Sequence, residues 1–394
     1  MKRQKMPTLF AAAVCLSIAA FGLASCEKAK KSVAPIPTVT IWGTGGQEVR
    51  ESLEEIASAF NADSRYNQKA RVEIQFIVSG TSEQSLNDRL SAAYKADQTD
   101  TDFDLLAIDD SMISAIMGQT GADMFDPIDT AKIPNYNNLL FKPVVGKGIF
   151  VPYRGTAVYL AYNSAVVPNP PKTDQELYRW IREHPGRFSY NIPLTGGSGL
   201  SFAVTAVYNR LPEEAALSGD TIWRDNYKTE WDEGIALLQE LHPYLYKTAG
   251  RVQYPNKNAG TLTLLANQEI DMCPAYVNMV LEQKSMGVLP QSIEIVQISP
   301  AFSGALAGFC MPSIGGDKEA AYLVMDYFLS PEAQAIAWNG MYAFPLIALS
   351  TLKNLENAAW LNAAEFSEIR YFSIGMLLYE IGQRWEAEVG VLAR

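Results

Sequence analysis

The sequence predicts a folded α/β protein with two lobes, and three observations lead to that prediction. Segments typical of strands alternate with segments typical of helices between residues 38 and 110. Hydrophobic residues make up 48% of the chain, as expected of a folded globule. The 394 residues, less an N-terminal segment of about 25, are too many for one ordinary hydrophobic core, so two lobes are expected.

The alternation begins with the β-rich segment TVTIWG, residues 38–43. The next segment, EVRESLEEIASAF, predicts a helix because apolar residues recur on one helical face: Val49, Leu53, Ile56 and Phe60. RVEIQFIVSG alternates apolar and polar residues and predicts a second strand, SEQSLNDRLSAAY predicts a second helix, and FDLLAIDD predicts a buried strand. Strands that alternate with helices in this way indicate a parallel sheet.

A long β-rich run follows at 148–167, and we expect Pro152 to break it. Beyond it the sequence predicts a helix ended by Pro185, a strand at 188–193 (FSYNIP) and a helix from Thr229. The remaining predictions are a helix–strand unit in GTLTLLANQEIDMCPAYV, strands in SIEIVQIS and GALAGFCMPSIG, two helices in DKEAAYLVMDYFLSPEAQAIAWN, and a C-terminal helix in IRYFSIGMLLYEIGQRWEAEV.

The N-terminus predicts export with a lipid anchor. A basic start, MKRQK, precedes the apolar stretch FAAAVCLSIAAFG, which is too short to span a bilayer as a permanent helix. That stretch ends at LASC, residues 23–26, which resembles the bacterial lipobox; the resemblance implies removal of residues 1–25 and lipidation of Cys26. An ordinary secretory signal, with Cys26 incidental, is the alternative. Residues 26–37 carry charge and two prolines and are expected to be a tether.

Charge and residue usage exclude several kinds of partner. Removal of residues 1–25 takes away three basic residues and no acidic ones, so the formal net charge of −11 becomes more negative and a nucleic-acid partner is not expected. Cys273 and Cys310 lie in apolar runs and are either a disulfide pair or two buried free thiols. His184 and His242 each precede a proline, with no Cys or carboxylate at ligand spacing, so no metal site is expected.

The motifs argue against an enzyme. TGGSG, residues 195–199, lacks the second glycine of a Gly-x-Ser-x-Gly elbow, and both histidines precede prolines, so a serine hydrolase is not expected. Gly43-Thr44-Gly45-Gly46 follows a strand, but Glu48 stands where a dinucleotide loop has its third glycine. We therefore expect neither catalysis nor a cofactor.

Five segments, in order, resemble those of bacterial extracellular solute-binding proteins of ABC importers, the two-lobed type II class: TVTIWG, FDLLAIDDSM, FVPYRGTAVYLAYN, LANQEIDMCPAYV and KEAAYLVMDYFLSPEAQA. HPGRFSYNIPLTGGSG resembles a stretch found in the branch near the iron, thiamine and polyamine binders. The resemblance implies a periplasmic-binding-protein-like type II fold, in which two α/β lobes enclose a ligand cleft. The sequence departs from the ferric binders because it lacks their adjacent pair of tyrosines, so iron is not the expected ligand.

The same resemblance implies a crossover between lobes at Pro152-Tyr153-Arg154 and a return near Met286. We expect lobe 1 to comprise residues 38–153 and 286–330. Lobe 2 is then expected to comprise residues 154–285 and 331–394.

Four loops at the ends of predicted strands are the expected ligand-binding elements, because solutes bind at the carboxyl ends of strands in open α/β sheets. Each loop is rich in small or hydroxyl residues, which let backbone N–H groups approach a solute. For each loop the alternative is a glycine needed for positive φ or a serine needed for a cap. The candidates are Trp42, Gly43, Thr44 and Gly45; Thr81 and Ser82; Asp109, Asp110 and Ser111; and Gly196, Gly197, Ser198 and Gly199.

Charged and aromatic side chains add further candidates. Asp109 and Asp110 either meet an ammonium group or form an acidic N-cap for the next helix. Arg154 either pairs with an acidic ligand or locks the hinge. Trp42 and three other aromatic residues either stack on a sugar, a heterocycle or a cation or belong to the core: Tyr153, Trp223 and Tyr276.

The glycine-rich stretch at 195–199 also predicts a helix start. Apolar residues recur with helical spacing from Leu200 to Tyr208, so the helix should begin at or just before Gly199, with Ser198 or Thr195 as its cap. Three glycines exceed what a cap needs. We therefore expect the N–H groups of Gly197, Ser198 and Gly199 to be free, to face the cleft and to bind an electronegative part of the solute.

Together these features predict a lipid-anchored solute receptor on the outer side of a membrane. Its lobes would close on a small solute, which is a sugar, a polyamine, a thiamine-like compound or an anion, and would deliver it to an ABC permease. A membrane-anchored sensor on the same fold is the alternative, and an exported hydrolase is the third possibility.

Overall fold

The computed structural model describes residues 35–78, 83–217, 221–363, 370 and 376–393. The predicted signal peptide, Cys26, most of the predicted tether, and the candidates Thr81 and Ser82 lie outside these described residues.

The described residues contain nine strands, thirteen α-helices and several short 3-10 helices. The strands are β1 (Thr38–Gly45), β2 (Arg71–Val78), β3 (Leu105–Asp109), β4 (Val151–Asn163), β5 (Lys247–Thr248), β6 (Arg251–Val252), β7 (Met272–Tyr276), β8 (Ile293–Val296) and β9 (Gly304–Cys310). The helices are α1 (Gln47–Ala62), α2 (Leu86–Lys95), α3 (Asp110–Thr120), α4 (Asp174–Glu183), α5 (Gly197–Tyr208), α6 (Ile222–Asp225), α7 (Lys228–Leu241), α8 (Lys257–Ala266), α9 (Val277–Ser285), α10 (Lys318–Phe328), α11 (Pro331–Met341), α12 (Ala358–Ala363) and α13 (Met376–Glu388).

The first three strands form the predicted parallel arrangement. β1 pairs in parallel with both β2 and β3, so the carboxyl ends of all three lie at the same edge of the sheet. Helix α1 has the predicted apolar face, which is buried and includes Val49, Leu53, Ile56 and Phe60. That edge therefore carries the loop after β1 and the start of α3 at Asp110, as the strand-end argument requires.

The remaining strands of the main sheet pair antiparallel. Its order is β2-β1-β3-β9-β4-β7, and β8 also pairs with β4. The prediction that Pro152 breaks the run at 148–167 is wrong, because β4 continues through it as one strand. The register against β9 shifts between Pro152 and Arg154, and this irregularity accommodates a residue that has no N–H to donate.

Strand β4 links two parts of the sheet. Its N-terminal half pairs with β9, and its C-terminal half lies between β7 and β8. Buried apolar residues form one large cluster around β1–β3, β9, α10 and α11, and further clusters around the C-terminal half of β4. Helix α11 packs against α1. The boundaries predicted for the two lobes stay a prediction.

The prediction of a strand at 188–193 is also wrong. Only Phe188 forms a β-bridge there, with Met272. The next residues turn away because Asn191 donates hydrogen bonds to the carbonyls of Ile192 and Gly196, and Pro193 starts a short 3-10 helix. A polar side chain that bonds the neighbouring backbone thus replaces the ladder of a strand.

Three further findings bear on the sequence predictions. Cys273 and Cys310 are both buried free thiols, on β7 and β9. The C-terminal helix α13 agrees with the prediction over 376–388, and residues 371–375 lie outside the described residues. None of the helices in the described ranges has both the length and the apolar character needed to cross a membrane.

Candidate ligand-binding site

A cavity of about 140 Å³ lies where the starts of α3 and α5 approach the end of β7 and the start of β9. It brings together four of the residues predicted from sequence: Asp110, Ser111, Gly197 and Tyr276. The other lining residues are Val145, Leu200, Ser201, Ser303, Gly304, Ala305 and Leu378. The cavity is therefore built from segments far apart in the chain, and hydroxyl groups, one carboxyl group and apolar side chains share its wall.

Asp110 is the buried acid of the cavity. Asp110 is 2% exposed to solvent, and its Oδ2 accepts a hydrogen bond from the backbone N–H of Leu306 at 3.2 Å. Burial, and to a lesser extent the negative charge of Asp109, raise the pKa of Asp110 to about 7. Asp110 thus titrates near neutral pH.

Asp109 occupies a different environment from its neighbour. It is the N-cap residue of α3, yet its side chain makes no capping hydrogen bond. Its side chain is 45% exposed and lies 3.8 Å from the guanidinium of Arg154, whose own side chain is 14% exposed. Arg154 also donates to the hydroxyl of Tyr153 at 3.4 Å. Arg154 on β4 therefore contacts the preceding residue of its own strand and the acid at the end of β3.

Helix α5 starts where it was predicted, just before Gly199, but the predicted cap and the predicted free N–H groups are wrong. The helix begins at Gly197 with Gly196 as N-cap, and neither Ser198 nor Thr195 caps it. The N–H groups of Ser198 and Gly199 are not free either, because Asn258 and Asn191 accept from them at 3.1 and 2.8 Å. Two asparagine side chains brought in from elsewhere thus perform the capping. Capping by these residues was not predicted, because Asn191 lies in a segment predicted to be a strand and Asn258 is 60 residues from Ser198 in the chain.

The glycines of 195–199 have a packing role. A Cβ on Gly199 would lie 2.0 Å from the carbonyl oxygen of Asn191, and one on Gly197 would lie 2.3 Å from the hydroxyl of Tyr276. A Cβ on Gly196 would meet Asn258 at 2.4 Å. The excess of glycine therefore reflects close approach of neighbouring groups, and none of these glycines has a positive φ.

Tyr276 ends β7 and directs its ring toward the start of α5. Burial, and secondarily Asp109, raise the pKa of Tyr276 to about 12, so its hydroxyl is neutral at physiological pH. Within the described part of the chain this hydroxyl has no hydrogen-bond partner. It is therefore a polar group at the cavity that is available to a solute.

The structure does not bring the other described candidates into this cavity. Trp42 is buried beside Phe103 at a ring distance of 5.0 Å, and Tyr153 stacks on Phe309 at 4.9 Å. Trp223 stacks on Tyr227. Gly43, Thr44 and Gly45 lie at the end of β1, where the Thr44 hydroxyl donates to the carbonyl of Ile77.

Sequence reasoning missed two serines of the cavity. The hydroxyl of Ser201 accepts from the backbone N–H of Ser303 at 2.8 Å, and the two hydroxyls lie 2.7 Å apart. A serine within the otherwise apolar face of α5 was the available signal. No sequence signal pointed to Ser303, on the segment before β9. Its contact with Ser201, 102 positions away in the chain, depends on the tertiary fold.

Two larger hollows lie elsewhere. One of about 300 Å³ is bordered by Tyr254 and Trp385, and another of about 380 Å³ by Arg224 and Arg384. Neither contains a residue predicted to bind ligand. Over the described ranges, no three His, Cys, Asp or Glu residues are grouped so that they could hold a metal ion.

Comparisons with solved structures show the fold. An ABC transporter protein from Clostridium perfringens matches with a TM-score of 0.59 and 15% identity, over 90% of this chain and 100% of that one. The spermidine/putrescine ABC transporter substrate-binding protein PotD of Streptococcus pneumoniae matches with a TM-score of 0.60 and 13% identity, over 89% and 99%. The apo ferric ion-binding protein A of Pasteurella haemolytica gives 0.56 and 14%, over 90% and 96%. They confirm the predicted class, the α/β fold of type II periplasmic binding proteins.

Sequence comparison adds a curated relative and a family. Protein YnjB of Escherichia coli K12 is 25% identical over 192 residues, so the chain spans about half the length of the curated relative it matches, 48% of each protein. The model of the bacterial extracellular solute-binding proteins matches residues 55–364, which is most of the chain. The chain belongs to the family of bacterial extracellular solute-binding proteins.

Proposed function

We propose that this protein is the substrate-binding component of an ABC transporter, which holds a small solute in the cavity beside Asp110 and delivers it to a membrane permease. The observation that carries the proposal is the meeting of Asp110 and Ser111 with Gly197 and Tyr276 around one cavity. These residues come from segments before and after the crossover strand β4. Family membership supports the same role.

A solute bound there contacts both sides of the crossover, so it stabilises a closed arrangement relative to an open one. We propose that Asp110, Ser111, Gly197 and Tyr276 contact the solute directly. Arg154 is proposed to hold the crossover through Asp109, since its guanidinium is already placed between that carboxylate and the Tyr153 hydroxyl. The action is binding and release, without covalent chemistry.

The test of this function is the solute itself. Protein purified gently from its native envelope should carry a small molecule that native mass spectrometry detects as a discrete mass increment. Deletion of the gene should abolish uptake of that molecule into cells, and restoring the gene should restore uptake. Binding without any effect on uptake would instead favour a sensor, and a protein that carries and binds no solute would contradict the proposal.

We propose that Cys26 carries the lipid that anchors the protein, on the evidence of LASC after the apolar stretch. Cys26→Ala should leave the protein either unprocessed or released in soluble form, because the acylated residue is lost. Detergent phase partitioning of mature wild-type and variant protein measures this. Cys15→Ala, within the apolar stretch, is the matched control and should leave partitioning unchanged. A processed Cys26→Ala protein that still partitions fully into detergent would contradict the anchor.

A further inference from the structure

We propose that the cavity takes a compact aliphatic or alicyclic amine in its protonated form, with the carboxylate of Asp110 receiving the ammonium group. This inference rests on the proposed solute-binding function and narrows the solute to one chemical class. It also assigns the selection of a cation over a neutral or anionic solute to one side chain, that of Asp110.

The charge of the cavity is the first argument. Asp110 is buried, and its hydrogen-bond donors are the backbone N–H groups of Leu306 and Ser111. Among the described residues that line the cavity, Asp110 is charged and none is basic. A buried carboxylate without a cation is costly, and an ammonium that arrives with the solute offsets that cost.

The surroundings of Asp110 favour its ionised form once a cation is present. The carboxyl group stands at the N-terminus of α3, where the helix dipole stabilises negative charge. Its contacts are with backbone N–H groups, which donate to a carboxylate. The adjacent Asp109 lies 3.8 Å from the guanidinium of Arg154, which offsets its charge, so the repulsion of an anionic solute comes mainly from Asp110.

The uncharged groups of the cavity suit an amine better than a sugar. The Tyr276 hydroxyl is available to accept a hydrogen bond from an ammonium N–H. The Ser303 hydroxyl donates its hydrogen to Ser201, so toward a solute the Ser303 oxygen acts as an acceptor, which is the role that an ammonium N–H requires. Val145, Leu200 and Ala305 provide an apolar wall for the hydrocarbon part.

The volume limits the size of the amine. A protein cavity of about 150 Å³ is large enough to bind benzene, so about six non-hydrogen atoms fit in the 140 Å³ found here. A six-membered cyclic amine matches this volume and places its nitrogen at one edge, where it can reach Asp110.

The experiment uses three small probes of similar size at pH 8: piperidine, which is protonated there; its neutral ring analogue tetrahydropyran; and the anion pivalate. Their dissociation constants are measured on the purified protein by calorimetry or by ligand-observed NMR. Piperidinium should bind at least about tenfold more tightly than tetrahydropyran, or about 1.4 kcal/mol, and pivalate should bind most weakly.

Two variants locate the effect. Asp110→Asn keeps the size of the side chain and removes its charge, so the preference for piperidinium over tetrahydropyran should disappear. Asp102→Asn, an exposed acid that does not line the cavity, should keep it. Thermal unfolding of each variant confirms that it is folded.

Equal binding of piperidinium and tetrahydropyran to the wild-type protein, tighter binding of pivalate, or an undiminished preference in Asp110→Asn would each overturn the amine proposal. Failure of the amine proposal can be distinguished from failure of the proposed receptor function. A neutral or anionic solute captured on the native protein overturns the amine proposal and leaves the receptor function standing, whereas the receptor function fails if no solute is carried or transported.

Discussion

The Asp110→Asn variant is expected to be more stable than the wild-type protein at pH 8, by about 2–4 kcal/mol in the free energy of unfolding of the ligand-free protein. In the folded protein the pKa of Asp110 is raised to about 7, mainly by burial, whereas an Asp in an unfolded chain titrates near 3.9. Between these values the folded state keeps a proton that the unfolded state has released.

The direction in which the stability changes with pH follows from this difference in bound protons. Because the folded state binds more protons over this window, the stability of the wild-type protein falls as pH rises from about 4 to about 7, and the full loss is present above pH 7. Three pKa units correspond to about 4 kcal/mol, which is the upper bound of the gain from removing the charge. Asparagine does not titrate, so the gain should be largest at pH 8 and should vanish toward pH 4.

Urea unfolding at pH 4, 6 and 8 measures the difference in the free energy of unfolding between Asp110→Asn and the wild-type protein. The contributions of the other carboxyl groups cancel in this difference because both proteins contain them. Asp102→Asn, at an exposed position, should differ from the wild-type protein by less than about 0.5 kcal/mol at each pH. A stability difference between Asp110→Asn and wild type that does not change with pH would show that Asp110 is not a buried titrating acid. A measured gain would fit the proposal that Asp110 serves binding at the expense of stability.

Gly199→Ala is expected to lower the free energy of unfolding by about 2–4 kcal/mol. The added Cβ would lie 2.0 Å from the carbonyl oxygen of Asn191, which is backbone and cannot rotate away. The helix start must then move from Asn191, and the hydrogen bond from Gly199 N–H to Asn191 Oδ1 is lost with it. Urea unfolding at one pH, with solute absent, measures this loss.

Gly118→Ala is the matched control for that experiment. Gly118 also lies in a helix, α3, but a Cβ there has nothing within 4 Å. Alanine at that position should therefore stabilise the protein by about 0.5–1 kcal/mol, through its higher helix propensity. If Gly199→Ala were as stable as Gly118→Ala, the close packing of α5 on the Asn191 segment would be wrong.

Local sequence patterns predicted helices and strands well where one face of the element is buried and the opposite face is exposed to solvent. The periodicity of Val49, Leu53, Ile56 and Phe60 predicted α1, and the alternation in 71–78 predicted β2, because helix and strand periods are local properties. The failures at Pro152 and at 188–193 have a common origin. In both, the outcome depended on a distant partner: β9 accommodates the shift beside Pro152, and Met272 and the start of α5 determine the path after Phe188.

The candidate site divides in the same way. The sequence by itself determined that Asp110, Ser111, Gly197 and Tyr276 follow or begin elements whose ends can meet at one edge of an α/β sheet. Only the tertiary structure decided that they surround one cavity, that Tyr153 stacks in the core instead, and that asparagines from two other segments occupy the N–H groups of Ser198 and Gly199. The physical reason is that periodicity and capping act within a few residues. The burial that raises the pKa of Asp110, in contrast, is created by segments as distant as those that contain Tyr276 and Ala305.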